Sequence, residues 1–94
     1  MNFLQTILLV DEDPKIRGVM AAQLGQLGYR VAEADSADEV RELAAREQPA
    51  FILLDRGLPG DGQQAREILA SLRDDPVVGH IPVLMTSARA AMPS

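Results

Sequence analysis

Two short apolar runs, each closed by acidic residues, constrain the fold of this chain most strongly. Ile7–Val10 is followed by Asp11 and Glu12, and Phe51–Leu54 is followed by Asp55. An apolar run of this length is typical of a strand that is buried on both faces of a parallel sheet. If the two strands are neighbours, their acidic residues meet at the carboxyl edge of the sheet, where open α/β sheets bind ligands.

The three acidic side chains at these strand ends predict a metal-binding pocket. Carboxylates crowded into one crevice repel each other, and a hard divalent cation such as Mg²⁺, which prefers oxygen ligands, relieves that repulsion. We therefore expect Asp11, Glu12 and Asp55 to surround a magnesium ion, with Asp55 at the centre. The simpler alternative is that the first two complement a helix dipole and that Asp55 is a turn residue.

The composition predicts one small domain, taken as residues 1–94. The hydrophobic fraction of 47% argues against disorder, and the net charge of −5 argues against non-specific nucleic-acid binding. The absence of cysteine excludes disulfides, thiolate zinc sites and thiol catalysis. No apolar stretch approaches the roughly 20 residues of a membrane span. The N-terminus does not resemble a signal peptide, so the expected location is the cytoplasm.

Capping and turn signals divide the chain into alternating strands and helices. Asp13-Pro14 and the capping-box pattern of Ser36 and Glu39 each begin a helix, and Gly28 lies where a helix C-cap is expected. The predicted strands are Thr6–Val10, Tyr29–Ala34, Ala50–Asp55 and Ile81–Met85, the last ending at Thr86-Ser87. This alternation predicts parallel strands joined by right-handed crossovers.

Helical periodicity predicts the face that each helix buries. In the first helix the apolar stripe is expected to be core, with an interface as the alternative; it comprises Ile16, Val19, Met20, Gln23, Leu24 and Leu27. The predicted core positions of the next two helices are Val40, Leu43 and Ala44, then Ala65, Ile68, Leu69 and Leu72.

Four segments in this order resemble the receiver domain of two-component response regulators. They are ILLVDEDPKIR, GYRVAEADSADE, FILLDRGLPGDG and HIPVLMTSA, and the resemblance runs from Leu4 to Arg89. It implies a flavodoxin-like, three-layer open parallel sheet. The strand order implied by the family is 2-1-3-4-5.

The resemblance also implies a role for individual residues. Asp55 matches the phosphoacceptor, since a carboxylate can form an acyl phosphate. Asp11 and Glu12 match the acidic pair that holds Mg²⁺, and the backbone carbonyl of Gly57 matches a further ligand. Ser87 matches the hydroxyl that hydrogen-bonds the phosphoryl group and moves on activation. Thr86 is the competing assignment for this hydroxyl.

The implied function is that of a phosphoacceptor in a two-component phosphorelay. The phosphoryl group would come from a sensor histidine kinase or a histidine phosphotransfer protein. The domain would be a signalling switch that at most catalyses its own phosphorylation and dephosphorylation. One alternative is a pseudo-receiver that acts as a phosphorylation-independent interaction or dimerisation module. The other is a Mg²⁺-dependent phosphohydrolase, disfavoured because Gly57 stands where such enzymes usually carry a second aspartate.

The sequence departs from the family pattern in three respects. The last helix-strand-helix portion is missing, and with it the lysine that pairs with the phosphate. The single lysine, Lys15, is not at that position, and Arg56 or Arg89 would replace it poorly. The loop after Asp55 is one residue shorter than usual. The missing portion leaves an uncovered sheet edge, so we expect a longer parent chain, a homodimer through that edge and a helix face, or a swapped partner element.

Overall fold

The computed structural model describes residues 5–11, 13–55 and 63–86. Within these ranges strands and helices alternate. The strands are β1 (Thr6–Val10), β2 (Arg30–Ala34), β3 (Phe51–Asp55) and β4 (Val83–Thr86). The helices are α1 (Pro14–Gln26), α2 (Ala37–Glu47) and α3 (Gln63–Arg73).

The described strands form one parallel sheet in the order β2-β1-β3-β4. The chain moves one way from β1 to β2 and the opposite way from β2 to β3 and β4. With right-handed crossovers, these directions place α1 on one face of the sheet and α2 and α3 on the other. The sheet, its order and the helix layers confirm the predicted flavodoxin-like fold class.

The main core lies between the sheet and the α2–α3 layer. Alternate residues of the central strands point into it, because successive side chains of a strand face opposite ways. The buried members are Leu8, Val10, Ala34, Val40, Ala44, Ile52, Leu54, Ala65, Ile68, Leu72, Val78 and Ile81. Ile7 and Leu9, on the other face of β1, are also buried. The prediction of a strand enclosed on both faces is therefore confirmed for β1.

The predicted helix caps are confirmed. The Oδ1 atom of Asp13 accepts hydrogen bonds from the backbone N–H of Lys15 at 2.9 Å and of Ile16 at 3.4 Å. Gly28, just beyond α1, has a φ of 97°, a conformation that favours glycine. Ser36 Oγ accepts from Glu39 N–H at 3.3 Å. In return, Glu39 accepts from Asp35 N–H at 3.0 Å, so the capping box is closed one residue earlier than the usual pattern.

The buried faces of α2 and α3 agree with the sequence prediction, whereas the stripe predicted for α1 is confirmed only at Met20 and Leu24. Val19 of the predicted stripe is 58% exposed and Leu27 is 74% exposed. The half-buried positions of α1 are instead Arg17, Met20, Ala21 and Leu24. This set is also helically periodic, but its first member is an arginine. The apolar pattern therefore located Met20 and Leu24 but missed the inward position of the first turn, because an arginine occupies it.

The segment before β4 is a compact turn instead of a strand extension. Ile81, predicted to begin the strand, is 2% exposed, but β4 begins at Val83. The Oδ1 atom of Asp75 accepts from Val77 N–H at 2.8 Å and from Val78 N–H at 3.4 Å. These bonds fold the chain so that Val78 and Ile81 enter the core from a turn.

Candidate functional site

Asp11 occupies the carboxyl end of β1 and is 2% exposed. Its backbone N–H donates to Ala34 O at 3.2 Å, which continues the β1–β2 ladder by one residue. Its Oδ1 atom accepts from the backbone N–H of Asp13 at 2.9 Å. The carboxylate is thus held at the point where the strand turns into α1.

The strand register brings the predicted phosphoacceptor beside Asp11. Val10 pairs with Leu54, so Asp11 and Asp55 take the next position on adjacent parallel strands. Adjacent strands lie about 4.8 Å apart. Asp55 also pairs with Thr86 of β4. The backbone therefore gathers the ends of β1, β3 and β4 at one edge of the sheet, as the sequence predicted.

The structure locates only part of the predicted site. It describes Asp11 fully and the backbone of Asp55, whereas Glu12, Gly57 and Ser87 lie outside the described residues. Among the described side chains, no cluster of at least three histidine, cysteine, aspartate or glutamate residues is placed to hold a metal ion. Two carboxylates of the predicted ligand set, those of Glu12 and Asp55, lie outside the described side chains. The ligand set therefore remains a prediction.

The donor chemistry of the described part fits a hard cation. Asp11 is the buried charged residue of the described chain, and burying a carboxylate is costly unless it is paired or bound to a metal. It lies at the sheet edge where α/β folds bind ligands. A buried carboxylate in this position suits an oxygen-preferring ion such as Mg²⁺.

An arginine that the sequence reading assigned no role links Asp11 to the neighbouring strand. Arg17 Nη1 donates to the backbone carbonyl of Asp11 at 2.7 Å. Arg17 Nε donates to Glu33 Oε1 at 3.0 Å, with side-chain exposures of 18% for the arginine and 43% for the glutamate. The one sequence signal is its position one helical turn after the Asp13 cap, from which a long side chain reaches back over the helix start.

No helix in the described ranges combines the length and apolar character that crossing a lipid bilayer demands.

Comparisons with known proteins identify the family. A sequence model described as response regulator receiver domain matches residues 7–94. The phosphate regulon transcriptional regulatory protein PhoB of Pseudomonas aeruginosa is 33% identical over 85 residues, which are 90% of this chain and 36% of that protein. The DNA-binding dual master transcriptional regulator RpaA of Synechocystis is 37% identical over 87% of this chain and 33% of that protein. The chain thus spans about a third of the length of these curated relatives.

Solved structures agree in fold. The N-terminal domain of a response regulator receiver protein from Methanoculleus marisnigri is 39% identical with a TM-score of 0.76, covering 88% of this chain and 66% of that one. The receiver domain of a sensor histidine kinase from Pseudomonas aeruginosa, described with a magnesium ion coordinated in the active site cleft, is 28% identical with a TM-score of 0.80, covering 94% of this chain and 70% of that one. The chain belongs to the response regulator receiver domain family, and the resemblance identified in its four motifs is confirmed.

Proposed function

We propose that this receiver domain accepts a phosphoryl group on Asp55 within a two-component phosphorelay. The observation that carries the proposal is the register of β1 and β3, which puts Asp55 next to the buried Asp11 at the ligand-binding edge of the sheet. The family match supports the same role, because receiver domains are signalling modules that take phosphoryl groups from histidine kinases.

The proposed chemistry assigns each residue one task. A carboxylate oxygen of Asp55 attacks the phosphorus of a phosphohistidine. A P–O bond forms, the P–N bond breaks, and its electron pair stays with the imidazole nitrogen. Asp11, Glu12 and the carbonyl of Gly57 would hold Mg²⁺, which neutralises charge on the phosphoryl oxygens when bound. The Ser87 hydroxyl donates a hydrogen bond to the transferred group.

The proposed partners follow from this chemistry. A sensor histidine kinase or a histidine phosphotransfer protein supplies the phosphoryl group, and the domain, residues 1–94, works in the cytoplasm without direct contact to nucleic acid or membrane. It turns over no external substrate beyond its own phosphorylation and dephosphorylation. A second copy of the chain is a further proposed partner, through the β4 edge and the exposed apolar residues of α1.

Phosphorylation by a small donor tests the acceptor directly. The folded chain is incubated with Mg²⁺ and acetyl phosphate, and intact-mass spectrometry then detects the addition of one phosphoryl group. We expect the adduct on the wild type, its loss in Asp55→Asn, and its retention in Asp74→Asn, a matched control at an exposed aspartate beyond α3.

Two outcomes would contradict the proposal. An adduct that persists in Asp55→Asn overturns the assignment of the acceptor. A folded wild type that takes no phosphoryl group from several donors overturns phosphoacceptance, and leaves the pseudo-receiver as the function.

A further inference from the structure

We propose that Arg17 is a positioning residue for the metal site, which it serves by fixing the peptide between Asp11 and Glu12. This inference rests on the proposed function, because it concerns the same acidic pocket. It assigns to α1 a part in metal binding although this helix contains no acidic residue.

The atom that Arg17 contacts is the significant observation. The carbonyl of Asp11 belongs to the peptide group that joins the two proposed metal ligands contributed by β1. A net change in the backbone torsion angles on either side of this peptide would move the two residues relative to each other. Arg17 Nη1 holds its oxygen at 2.7 Å, the short distance typical of a charge-assisted hydrogen bond.

Two further polar groups of Asp11 are bonded to other elements. Its N–H donates to Ala34 O at 3.2 Å, and its Oδ1 accepts from Asp13 N–H at 2.9 Å. Among the described residues, the Arg17 bond holds the carbonyl side of Asp11. Together the three bonds attach this residue to β2, to the start of α1 and to the first turn of α1.

Glu33 determines where the guanidinium lies. Its Oε1 accepts from Arg17 Nε at 3.0 Å, and the arginine side chain is only 18% exposed. A guanidinium is planar, so binding at Nε restricts the direction in which Nη1 points. A lysine has one ammonium group and cannot reproduce two contacts at the fixed spacing of a guanidinium.

Charge and positioning predict effects of opposite sign on metal affinity. A cation near the pocket repels Mg²⁺, so loss of the Arg17 charge alone would tighten metal binding. If Arg17 instead positions the ligands, its loss weakens binding although the repulsion is removed. Mutation of a residue that orients metal ligands typically lowers metal affinity by 10-fold or more.

The test is the dissociation constant for Mg²⁺, measured by isothermal titration calorimetry at fixed ionic strength. We expect it to rise by about 10-fold in Arg17→Gln and in Arg17→Lys. Arg17→Lys keeps the charge, so it separates geometry from charge. Glu33→Gln keeps an acceptor oxygen, so we expect a smaller rise in the same direction. Arg46→Gln is the matched control, since Arg46 forms exposed ion pairs on α2 with Glu42 and Glu47.

Thermal unfolding without metal accompanies each titration, and the comparison uses the variants that remain folded. Unchanged or tighter Mg²⁺ binding in both Arg17 variants overturns the inference and leaves the proposed function standing. An equal loss in Arg46→Gln also overturns it, because the effect would then be general. A wild type that binds no Mg²⁺ but still gains the Asp55 adduct overturns only the inference; if it gains neither, both proposals fail.

Discussion

Gly79 lies where the backbone leaves no room for a side chain. A Cβ atom at this position would be 2.6 Å from the carbonyl oxygen of Asp75 and 2.9 Å from that of Arg73. Its own N–H donates to Asp75 O at 2.7 Å. These contacts involve backbone oxygens at the end of α3 and just beyond it. Backbone atoms cannot move aside as the tip of a flexible side chain can. The glycine is required by close packing of the turn that delivers Val78 and Ile81 to the core.

We expect Gly79→Ala to lower the free energy of unfolding by about 1–3 kcal/mol, because the methyl group forces the turn to shift. Gly25→Ala is the control. A Cβ at Gly25 meets no atom within 4 Å, and alanine favours a helix over glycine by up to about 1 kcal/mol. Urea unfolding compares the two. A Gly79→Ala protein as stable as the wild type would show that the turn relaxes without loss.

At the scale of elements, the helices on opposite faces of the sheet are covered to different extents. Val40 of α2 is fully buried in the core between the sheet and the α2–α3 layer, whereas Val19 of α1 is 58% exposed. The difference follows from the number of helices on each face. In the described part of the chain α2 has α3 beside it, whereas α1 packs mainly against β1 and β2.

The same substitution in each helix tests this asymmetry. We expect Val40→Ala to cost about 2 kcal/mol of unfolding free energy, because it removes buried methyl groups and leaves a cavity. Val19→Ala should change stability by less than about 0.5 kcal/mol, since the side chain is mostly in water and alanine is the better helix former. Equal losses would mean that the exposed face of α1 is covered in solution.

The elements also show what sequence reasoning could reach. Asp13, Ser36 and Gly28 act through neighbours only a few residues away, so local signals placed the helix ends correctly. The unbroken apolar run of β1 correctly predicted a buried strand. The stripe predicted for α1 missed the inward position of the first turn because Arg17 holds it, and the partners of Arg17 are a carbonyl and Glu33 on other elements.

The candidate site was likewise predictable from the sequence only in part. The positions of Asp11 and Asp55 were predictable, because parallel strands end at a common edge and both apolar runs end in aspartate. The role of Arg17 depends on the approach of β2 to the start of α1. No spacing within the sequence encodes that approach.

At the scale of the whole molecule, β4 lies at one end of the order of the described strands and carries exposed apolar side chains. Leu84 is 52% exposed and Met85 is 37% exposed. A strand at a sheet edge offers backbone groups for pairing with another chain, and apolar side chains on it strengthen that tendency. The proposed second copy would use this region.

We expect the chain to self-associate with rising concentration, and Leu84→Lys to shift it toward monomer, because a charge on an edge strand opposes pairing. Val77→Lys is the control, since Val77 is 55% exposed but lies in the turn outside β4. Sedimentation velocity over a concentration series measures both. The same sedimentation profile for the wild type and Leu84→Lys would contradict a dimer through this edge.

The place of β1 inside the sheet has a consequence for synthesis on the ribosome. Of the described strands, the first to be synthesised lies between β2 and β3. Leu54, the partner of its residue Val10, lies more than forty positions later in the chain. Domains generally fold as units, and the N-terminal part of a chain is synthesised first. A nascent chain that has emerged as far as Ala34 can pair β1 with β2 only. The other edge of this apolar strand stays unpaired until β3 emerges. Emergence of β3 through Asp55 therefore ends the period in which this edge of β1 is unpaired. The last residue of β3, Asp55, is also the proposed phosphoacceptor.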